Sequence, residues 1–387
     1  MRKSALLAFG LVVTVIVALG LVILSSASAA NGSRIHGDAY FFMKRQFAYL
    51  AVGVVVAVGA ALFDYRKWRD HAWLAWLAYG GVFIALLAVF PPLGRAINGS
   101  YRWINLGPVN IQPSEFAKLV TVIVLAVWLD RVAWRVELFW KGAAIPALLI
   151  GVLALPVMRE PDFGSTMVIG LVGFVVMLIA GVRLLHMLPF ACLGGAVLAY
   201  KVITNANRMA RIAAFFGIRL DIGAEVMDKA TERAAYQANQ ALVALGNGGI
   251  WGVGLNESMQ KHYYLPEAHT DFIFAIGAEE LGLFFSAGTL LLFVIFFCLS
   301  VYIAHKATDR FGRFLVMGMS FIIFFQAMFN IGVVCKALPT KGMALPFFSY
   351  GGTNLLSAFF AVGTILSVGI HSYRDRKGAL LRRVVLR

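Results

Sequence analysis

The sequence predicts an all-α, polytopic integral membrane protein with ten transmembrane helices and a large extracytoplasmic loop between helices 7 and 8. Of the 387 residues, 60% are hydrophobic and only 14% are charged, whereas soluble proteins carry about 25% charged residues. Apolar runs of about 20 residues, the length that crosses a bilayer, recur along the chain. We therefore predict one transmembrane domain over residues 1–387, with the large loop at 204–270 and a basic cytoplasmic tail at 372–387.

The net charge of +15 and the three cysteines restrict the classes of partner. Lysines and arginines lie in short loops and in the tail, the distribution that orients helices and contacts anionic lipids. We therefore expect membrane lipids, and no nucleic acid, as partners. Cys192, Cys298 and Cys335 lie in apolar runs without paired spacing, which predicts neither a disulfide nor a metal site. No required cofactor is evident, and a divalent cation stays an open alternative.

The first span is the apolar run Ala5–Ser26, which follows Arg2 and Lys3. The residues after it, Ser-Ala-Ser-Ala-Ala, resemble a signal-peptidase site, but the run is nearer to transmembrane length than to the 7–15 residues of a signal-peptide core. We predict an uncleaved helix. Nine further spans follow, at residues 46–63, 71–90, 113–129, 143–158, 163–182, 184–203, 271–303, 314–337 and 349–370.

An even number of spans places both termini on one side of the membrane. If that side is the cytoplasm, the inner loops and the tail hold twice as many lysines and arginines as the short outer loops. Positively charged loops face the cytoplasm. We therefore predict that both termini are cytoplasmic and that the tail lies on the inner leaflet.

The outer loop 204–270 is unusually long for a compact membrane protein, and such loops are more often functional than not. In its first half, the segment Asn207–Leu220 alternates arginines, among them Arg208 and Arg211, with apolar residues. This pattern predicts an amphipathic helix in the membrane interface. The second half, Tyr236–Gly254, is rich in Gln, Asn and Gly.

Polar residues gather at four places that the predicted topology puts at the outer face. The first is the segment Asn98–Lys118, where Glu115 suits the positive end of a helix and Lys118 can pair with it at i,i+3. The alternative is an anion site formed by Arg102 and Lys118. Trp103 is either an aromatic residue of the membrane interface or a stacking platform for a sugar ring.

The second place is the tight turn Arg159–Thr166, which adds the carboxylates of Glu160 and Asp162. Another is the segment Lys336–Asn354, in which two prolines and three glycines forbid a continuous helix. Irregular backbone at membrane depth is tolerated where it is buried in protein or lines a cavity. Lys341 at this break is a candidate ligand for phosphate.

The remaining place leads from the glycine-rich stretch Gly246–Gly254 to Asp271, at the entry to the eighth span. The stretch lacks the Gly-Lys-Ser/Thr of a P-loop, so it does not indicate a nucleotide-binding site. Asp271 either stabilises the helix start, with Thr270 as the cap, or takes part in chemistry. Glu279 and Glu280 lie about 12–13 Å further along the helix. At least one of them should line a cavity or meet a partner such as Lys336 or Lys118.

Together these residues describe an outward-facing cavity with carboxylates, cations and aromatic side chains. Cations suit a diphosphate, and a carboxylate suits proton abstraction from a hydroxyl group. A transporter is an alternative, because broken helices and intramembrane acids fit that class too. Transporters, however, place such charges near the midplane, whereas these gather at one face. A non-catalytic scaffold is the third alternative.

Five motifs at these places are distinctive: Arg102-Trp-Ile-Asn-Leu-Gly, Gln112-Pro-Ser-Glu, Leu265-Pro-Glu-Ala-His-Thr-Asp-Phe-Ile-Phe, Leu338-Pro-Thr-Lys-Gly and Ser349-Tyr-Gly-Gly. They resemble those of the SEDS family of bacterial cell-wall proteins, which comprises FtsW, RodA and SpoVE. The resemblance covers nearly the whole chain and is closer to FtsW, the cell-division member. Two local departures, Ile276-Gly-Ala-Glu-Glu and Gly252-Val-Gly-Leu-Asn-Glu-Ser, leave Asp271 untouched.

The resemblance implies a peptidoglycan glycosyltransferase that polymerises lipid II at the outer face of the bacterial cytoplasmic membrane, at the division septum. It implies Asp271 as the catalytic residue and, as partners, a class B penicillin-binding protein and other divisome proteins. A lipid II flippase and a division scaffold remain the alternatives. The expected substrate-binding residues are Arg102, Trp103, Glu115, Lys118, Glu160, His269, Glu279, Lys336 and Lys341.

Overall fold

A computed structural model describes residues 3–90, 95–97, 100–105, 107, 110–160, 162–217, 225–262 and 264–385. Helices dominate this part of the chain. Their bounds are α1 Lys3–His36, α2 Phe41–Leu62, α3 Arg66–Asp70, α4 Ala72–Ala88, α5 Pro113–Arg131, α6 Ile145–Arg159, α7 Phe163–Ala180, α8 Leu184–Ile203, α9 Ala206–Phe216, α10 Glu225–Gly248, α11 Ile273–His305, α12 Arg310–Val334 and α13 Gly352–Val385. A short 3₁₀ turn, Ala133–Arg135, and a π-helical segment, Phe139–Ala144, precede α6.

The polytopic fold predicted from hydropathy is confirmed. Within the described residues, eight helices are long and apolar enough to cross a membrane. The other two predicted spans are α4, which is 17 residues long, and α5, which carries charged residues near both ends. The α5 helix is nevertheless the centre of the bundle, with 15 of its 19 residues buried against neighbours that include α4, α7 and α12.

The first helix is longer than the sequence predicts. It continues ten residues past Ser26 to His36, and it includes the Ser-Ala-Ser-Ala-Ala stretch. Ser26 and Ser28 are buried within it. The small polar residues therefore do not mark a helix end; Ser26 instead meets buried polar groups, donating a hydrogen bond to Glu280 on α11.

A small antiparallel sheet departs from the all-α prediction. Its strands are β1 Arg95–Ile97, β2 Ser100–Asn105 and β3 Asn110–Ile111, in the order β1-β2-β3, with Arg95 opposite Trp103 and Ile104 opposite Ile111. Next to β3, Thr353 at the start of α13 donates a hydrogen bond to the carbonyl of Asn110 (3.2 Å). This contact fixes the hairpin, which carries Arg102, over one end of the bundle.

The large loop folds into two helices. The amphipathic helix predicted at Asn207–Leu220 is α9, Ala206–Phe216. The polar second half forms most of the 24-residue α10, which the sequence analysis did not predict. Small side chains explain its close packing against α9 and α11. Those buried along its inner face are Ala234, Ala238, Ala241 and Ala244.

Two interruptions shape the side of the bundle that carries this loop. Residues 335–351 between α12 and α13 contain no helix, as predicted from their prolines and glycines. The α11 helix is broken at Gly282, whose φ of 68° only glycine adopts readily. There the chain 249–254 inserts: the amides of Val253 and Gly254 donate to the carbonyls of Glu279 and Glu280, both at 3.0 Å.

Candidate functional site

Asp271 lies in the turn just before α11 and is half-buried. The helix begins at Ile273, and its N-cap residue, Phe272, makes no side-chain capping bond. The hydroxyl of Thr270 donates instead to the carboxylate of Glu267 (2.8 Å). The capping role considered for Thr270 is therefore wrong, and the helix start does not account for the position of Asp271.

The backbone around Asp271 is held by hydrogen bonds from two other parts of the chain. The buried amide of Asn330 on α12 donates both to the carbonyl of Asp271 and to the carbonyl of Met343, each at 2.7 Å. The hydroxyl of Ser349 donates to the carbonyl of Thr270 (2.6 Å). These bonds join the turn that carries Asp271 to the broken segment 335–351.

Gly342 packs directly against the Asp271 carboxylate. A Cβ atom at this position would overlap the Oδ2 atom of Asp271. Gly342 itself is exposed, so the carboxylate borders a surface that a ligand can reach. The glycine thus allows the loop that carries Lys341 to approach the acid.

The positive charges of Arg211 on α9 and Arg102 on β2 act on this carboxylate, and the same two arginines, together with Arg208 on α9, act on Lys341 in the broken segment. Burial raises the pKa of Asp271 to about 6, and the negative charge of Glu267 adds to the rise. The positive charges of Arg211 and Arg102 oppose it. Asp271 is therefore a carboxylate at neutral pH, but one with a stronger affinity for a proton than an exposed aspartate.

Lys341 is half-buried, and its charge is correspondingly costly. Burial lowers the pKa of Lys341 to about 7; the negative charge of Asp162 opposes this shift, and the neighbouring arginines add to it. The ammonium lies 5.8 Å from the ring centroid of Phe163, and the guanidinium of Arg208 lies 3.5 Å from the same centroid. Two cations thus contact the same aromatic ring.

Asp162 and Glu160 differ sharply although they are two residues apart. Asp162 caps α7 and accepts hydrogen bonds from the amide (3.2 Å) and hydroxyl (2.7 Å) of Ser165. Burial raises the pKa of Asp162, but Arg102, Lys341 and these bonds outweigh burial and lower it overall. Burial raises the pKa of Glu160 to about 8. Within the described residues, neither carboxyl oxygen of Glu160 has a hydrogen-bond partner.

The structure thus brings together four of the sequence-predicted residues, Asp271, Arg102, Glu160 and Lys341. Arg102 also donates a hydrogen bond from Nε to the backbone carbonyl of Glu160 (3.1 Å). The predicted pair between Glu115 and Lys118 is confirmed at 2.7 Å. Lys118 is only 1% exposed, so its ammonium neutralises Glu115 inside the bundle.

One of Glu279 and Glu280 meets a buried cation, as predicted, but that cation is neither Lys336 nor Lys118. Glu279 accepts hydrogen bonds from Asn247, Ser258 and the backbone amide of Gln260. Glu280 forms an ion pair with the buried Lys261 at 3.1 Å. Lys336, expected to meet them, instead donates to the side-chain oxygen of Asn239 (3.4 Å). Hydropathy identified the buried acids, but partners from the distant loop are not visible in a local pattern.

His269 and Trp103 lie at the edges of the site. The His269 ring is half-buried, with its Nδ1 atom 3.2 Å from the amide nitrogen of Asn31 and its centroid 4.8 Å from that of Phe42. Burial lowers the pKa of His269. Trp103 is half-buried on β2, one residue along from Arg102.

Sequence reasoning missed Arg208 and Arg211 as site residues and assigned them to a helix in the membrane interface. Their spacing of three residues puts both on one face of α9, which was the available signal. It also missed Asn330 and Gly342, whose roles depend on contacts with a turn some 60 to 70 residues earlier in the chain. The assembled site offers a proton acceptor of near-neutral pKa facing cations, which suits proton abstraction beside an anionic leaving group.

The family model described as "Cell cycle protein", for FtsW, RodA and SpoVE, matches residues 6–374. The chain belongs to this family. It is 39% identical to the probable peptidoglycan glycosyltransferase FtsW of Thioalkalivibrio sulfidiphilus, over 95% of this chain and 90% of that one. It is 36% identical to the probable peptidoglycan glycosyltransferase FtsW of Geobacter metallireducens, over 90% of both chains. The chain is accordingly a multi-pass protein of the inner membrane.

Solved structures agree with membership of this family. A chain from a peptidoglycan synthase complex that coordinates polymerization and crosslinking superposes with a TM-score of 0.70 at 26% identity, covering 95% of this chain and 98% of that one. The rod shape determining protein RodA of Thermus thermophilus gives a TM-score of 0.67 at 26% identity, covering 95% and 97%. The similarity of fold therefore extends over nearly the whole of both chains.

Proposed function

We propose that the chain is a peptidoglycan glycosyltransferase and that Asp271 is its general base. The observation that carries the proposal is the Asp271 carboxylate, accessible beside Gly342 and facing the positive charges of Arg102 and Arg211, which also act on Lys341. The relatives named as peptidoglycan glycosyltransferases support the choice of reaction. The substrate is lipid II, an undecaprenyl-diphosphate-linked disaccharide-peptide.

The proposed reaction is an inverting glycosyl transfer. The acceptor's GlcNAc 4-hydroxyl attacks the anomeric carbon of the donor's MurNAc, and its proton passes to the Asp271 carboxylate. The bond from the anomeric carbon to the diphosphate oxygen breaks, and undecaprenyl diphosphate leaves with the bonding electron pair. Base catalysis of this kind contributes roughly 10²–10⁴-fold to the rate.

The cations have a separate role in this reaction. Negative charge grows on the diphosphate as the bond breaks, and preorganised positive groups stabilise that charge most strongly where water is scarce. Arg102 and Arg211 are candidates because their charges act on Asp271, and Lys341 and Arg208 are candidates because they lie next to those two arginines. Lys118 is a weaker candidate because Glu115 already neutralises it.

We further propose that the site faces the outer side of the membrane, with both termini in the cytoplasm and the protein at the division septum. The excess of positive residues in the opposite loops supports this orientation. A class B penicillin-binding protein is the proposed partner. The structural similarity to a peptidoglycan synthase complex supports such a partner.

The test is polymerisation of lipid II by the full chain, purified together with its penicillin-binding partner. Asp271→Asn removes the proton acceptor with little change in volume, and we expect the rate to fall by about 10²–10⁴-fold. The matched control is Asp38→Asn, which neutralises an exposed aspartate paired with Lys44 and should leave the rate unchanged.

Wild-type rates from Asp271→Asn would exclude the proposed base. Lipid II flipping by the purified chain in proteoliposomes, without polymerisation, would favour the flippase alternative. A variant that binds the partner and supports growth without polymerising glycan would favour the scaffold.

A further inference from the structure

At the end of the bundle opposite the proposed site, the first and last helices enclose a groove. It has a volume of about 480 Å³, and residues from the start of α1 and from the later part of α13 line it. Its floor is apolar, formed by Leu6, Leu7, Leu366 and Ile370. Leu7 is 65% exposed, so the floor is open rather than covered by protein.

The rim of the groove is cationic. Lys3, Arg374 and Lys377 line it together with Tyr373. Arg374 and Lys377 are three residues apart and therefore on one face of α13. No carboxylate of the described residues pairs with any of these three cations. The groove thus has an uncompensated charge of about +3 above an apolar floor.

The nearby acid does not neutralise the rim. Asp375 forms an ion pair with Arg66 and accepts a 3.4 Å hydrogen bond from the hydroxyl of Thr308. Arg66 is the first residue of α3 and Thr308 precedes α12, so both partners of Asp375 lie outside α13. Asp375 is therefore already engaged when an anion approaches the rim.

We propose that this groove binds one anionic glycerophospholipid. The phosphate lies between Lys3, Arg374 and Lys377, and an acyl chain covers the apolar floor. Unpaired cations call for an anion, and an exposed apolar floor at the end of a transmembrane bundle calls for a hydrocarbon chain. A free phosphate ion satisfies only the first requirement. The bound lipid would connect the first and the last spans of the chain.

The experiment uses the full chain in detergent micelles, titrated with dioleoyl-phosphatidylglycerol or dioleoyl-phosphatidylcholine and analysed by native mass spectrometry. We expect one phosphatidylglycerol to be retained in preference to phosphatidylcholine. Arg374→Ala/Lys377→Ala should weaken the retention of phosphatidylglycerol by about tenfold or more, since it removes two of the three cations. The thermal unfolding midpoint, measured in parallel, checks that the variant is folded.

The matched control is Arg310→Ala/Arg313→Ala. It removes two exposed arginines of the same spacing from the start of α12, which lies at the same end of the bundle. Lipid retention should be unchanged in this control. Equal losses of phosphatidylglycerol retention in the two double variants would show an effect of bulk charge and contradict the proposed site. Full retention of phosphatidylglycerol by Arg374→Ala/Lys377→Ala would contradict it as well.

Two further measurements separate a lipid site from an anion site. Leu7→Trp fills the floor without changing the charge and should reduce retention of phosphatidylglycerol. Glycerol 3-phosphate, which carries the phosphate without acyl chains, should not displace the lipid at millimolar concentration. Displacement by glycerol 3-phosphate, or unchanged retention by Leu7→Trp, would show a simple anion site and contradict the proposal.

Discussion

Asp271 and Lys341 have pKa values that burial moves toward neutrality from opposite directions. A carboxylate acts as a base only when it is deprotonated, and the pKa of Asp271 is about 6. An ammonium holds a diphosphate only when it is protonated, and the pKa of Lys341 is about 7. The free enzyme is therefore most competent in the interval between these two values.

This arrangement predicts a bell-shaped pH profile for kcat/KM, the constant that reports the free enzyme. Activity falls below about pH 6 as Asp271 gains a proton, and above about pH 7 as Lys341 loses one. Initial rates of lipid II polymerisation across the pH range measure both limbs. In Lys341→Arg the alkaline limb should disappear, because an arginine stays charged. An unchanged alkaline limb in that variant would exclude Lys341 as its source.

Gly342 carries a second prediction at this scale. In Gly342→Ala the added methyl group would displace the Asp271 carboxylate, because the two overlap. We expect kcat to fall by about 10²-fold with little loss of stability, since a shift of about 1 Å in a catalytic group costs that much. Gly351→Ala, in the same broken segment, is the control: its nearest contact is an ordinary 3.8 Å to Asn354. Equal rates for the two variants would contradict the prediction.

At the scale of elements, the break in α11 at Gly282 and the inserted segment 249–254 stabilise each other. The carbonyls of Glu279 and Glu280 accept hydrogen bonds from residues 253 and 254, while the side chains of the same two acids hold residues 247–261. This segment leads directly into the turn that carries Asp271. Glu279 and Glu280 therefore support the position of Asp271, the proposed base, through this segment.

The buried pair between Lys261 and Glu280 gives a prediction for stability. Lys261→Met leaves the Glu280 carboxylate, which is 0% exposed, without its ammonium partner. Loss of one member of a buried pair costs about 3–5 kcal/mol, whereas replacing both members by apolar residues can be neutral. Unfolding in detergent should therefore show a large loss for Lys261→Met and recovery in Lys261→Met/Glu280→Leu.

The control for this measurement is the exposed pair between Arg183 and Glu137, whose side chains are 61% and 63% exposed. Arg183→Met should cost less than about 1 kcal/mol, because water screens exposed pairs. A similar cost for Lys261→Met would mean that the buried pair contributes little to the stability of the fold.

At the scale of the whole molecule, hydropathy was sufficient for the architecture because a bilayer sets the length and composition of each span. All ten predicted spans are helices in the structure. The errors lie where that constraint is absent. The α10 helix and the small sheet are outside the predicted spans, and α1 extends past its apolar run into polar residues, among them Asn31, which contacts His269.

The site was predictable in part for a related reason. Asp271, Glu160 and Lys341 are charges next to apolar runs, so their cost makes them conspicuous. Arg208 and Arg211 occur on an amphipathic helix, where arginines are ordinary, and only the tertiary fold brings Arg211 near Asp271 and both arginines near Lys341. The partners of Glu279 and Glu280 required the fold of a loop whose composition does not specify its contacts.

The side-chain amide of Asn330 bonds both the turn that carries Asp271 and the segment that carries Lys341. Together with the bond from Ser349 to the carbonyl of Thr270, this planar group on α12 ties the proposed proton acceptor to the proposed phosphate ligand. We therefore expect the spacing of these two side chains to depend more on Asn330 and Ser349 than on small changes in the tilt of neighbouring spans.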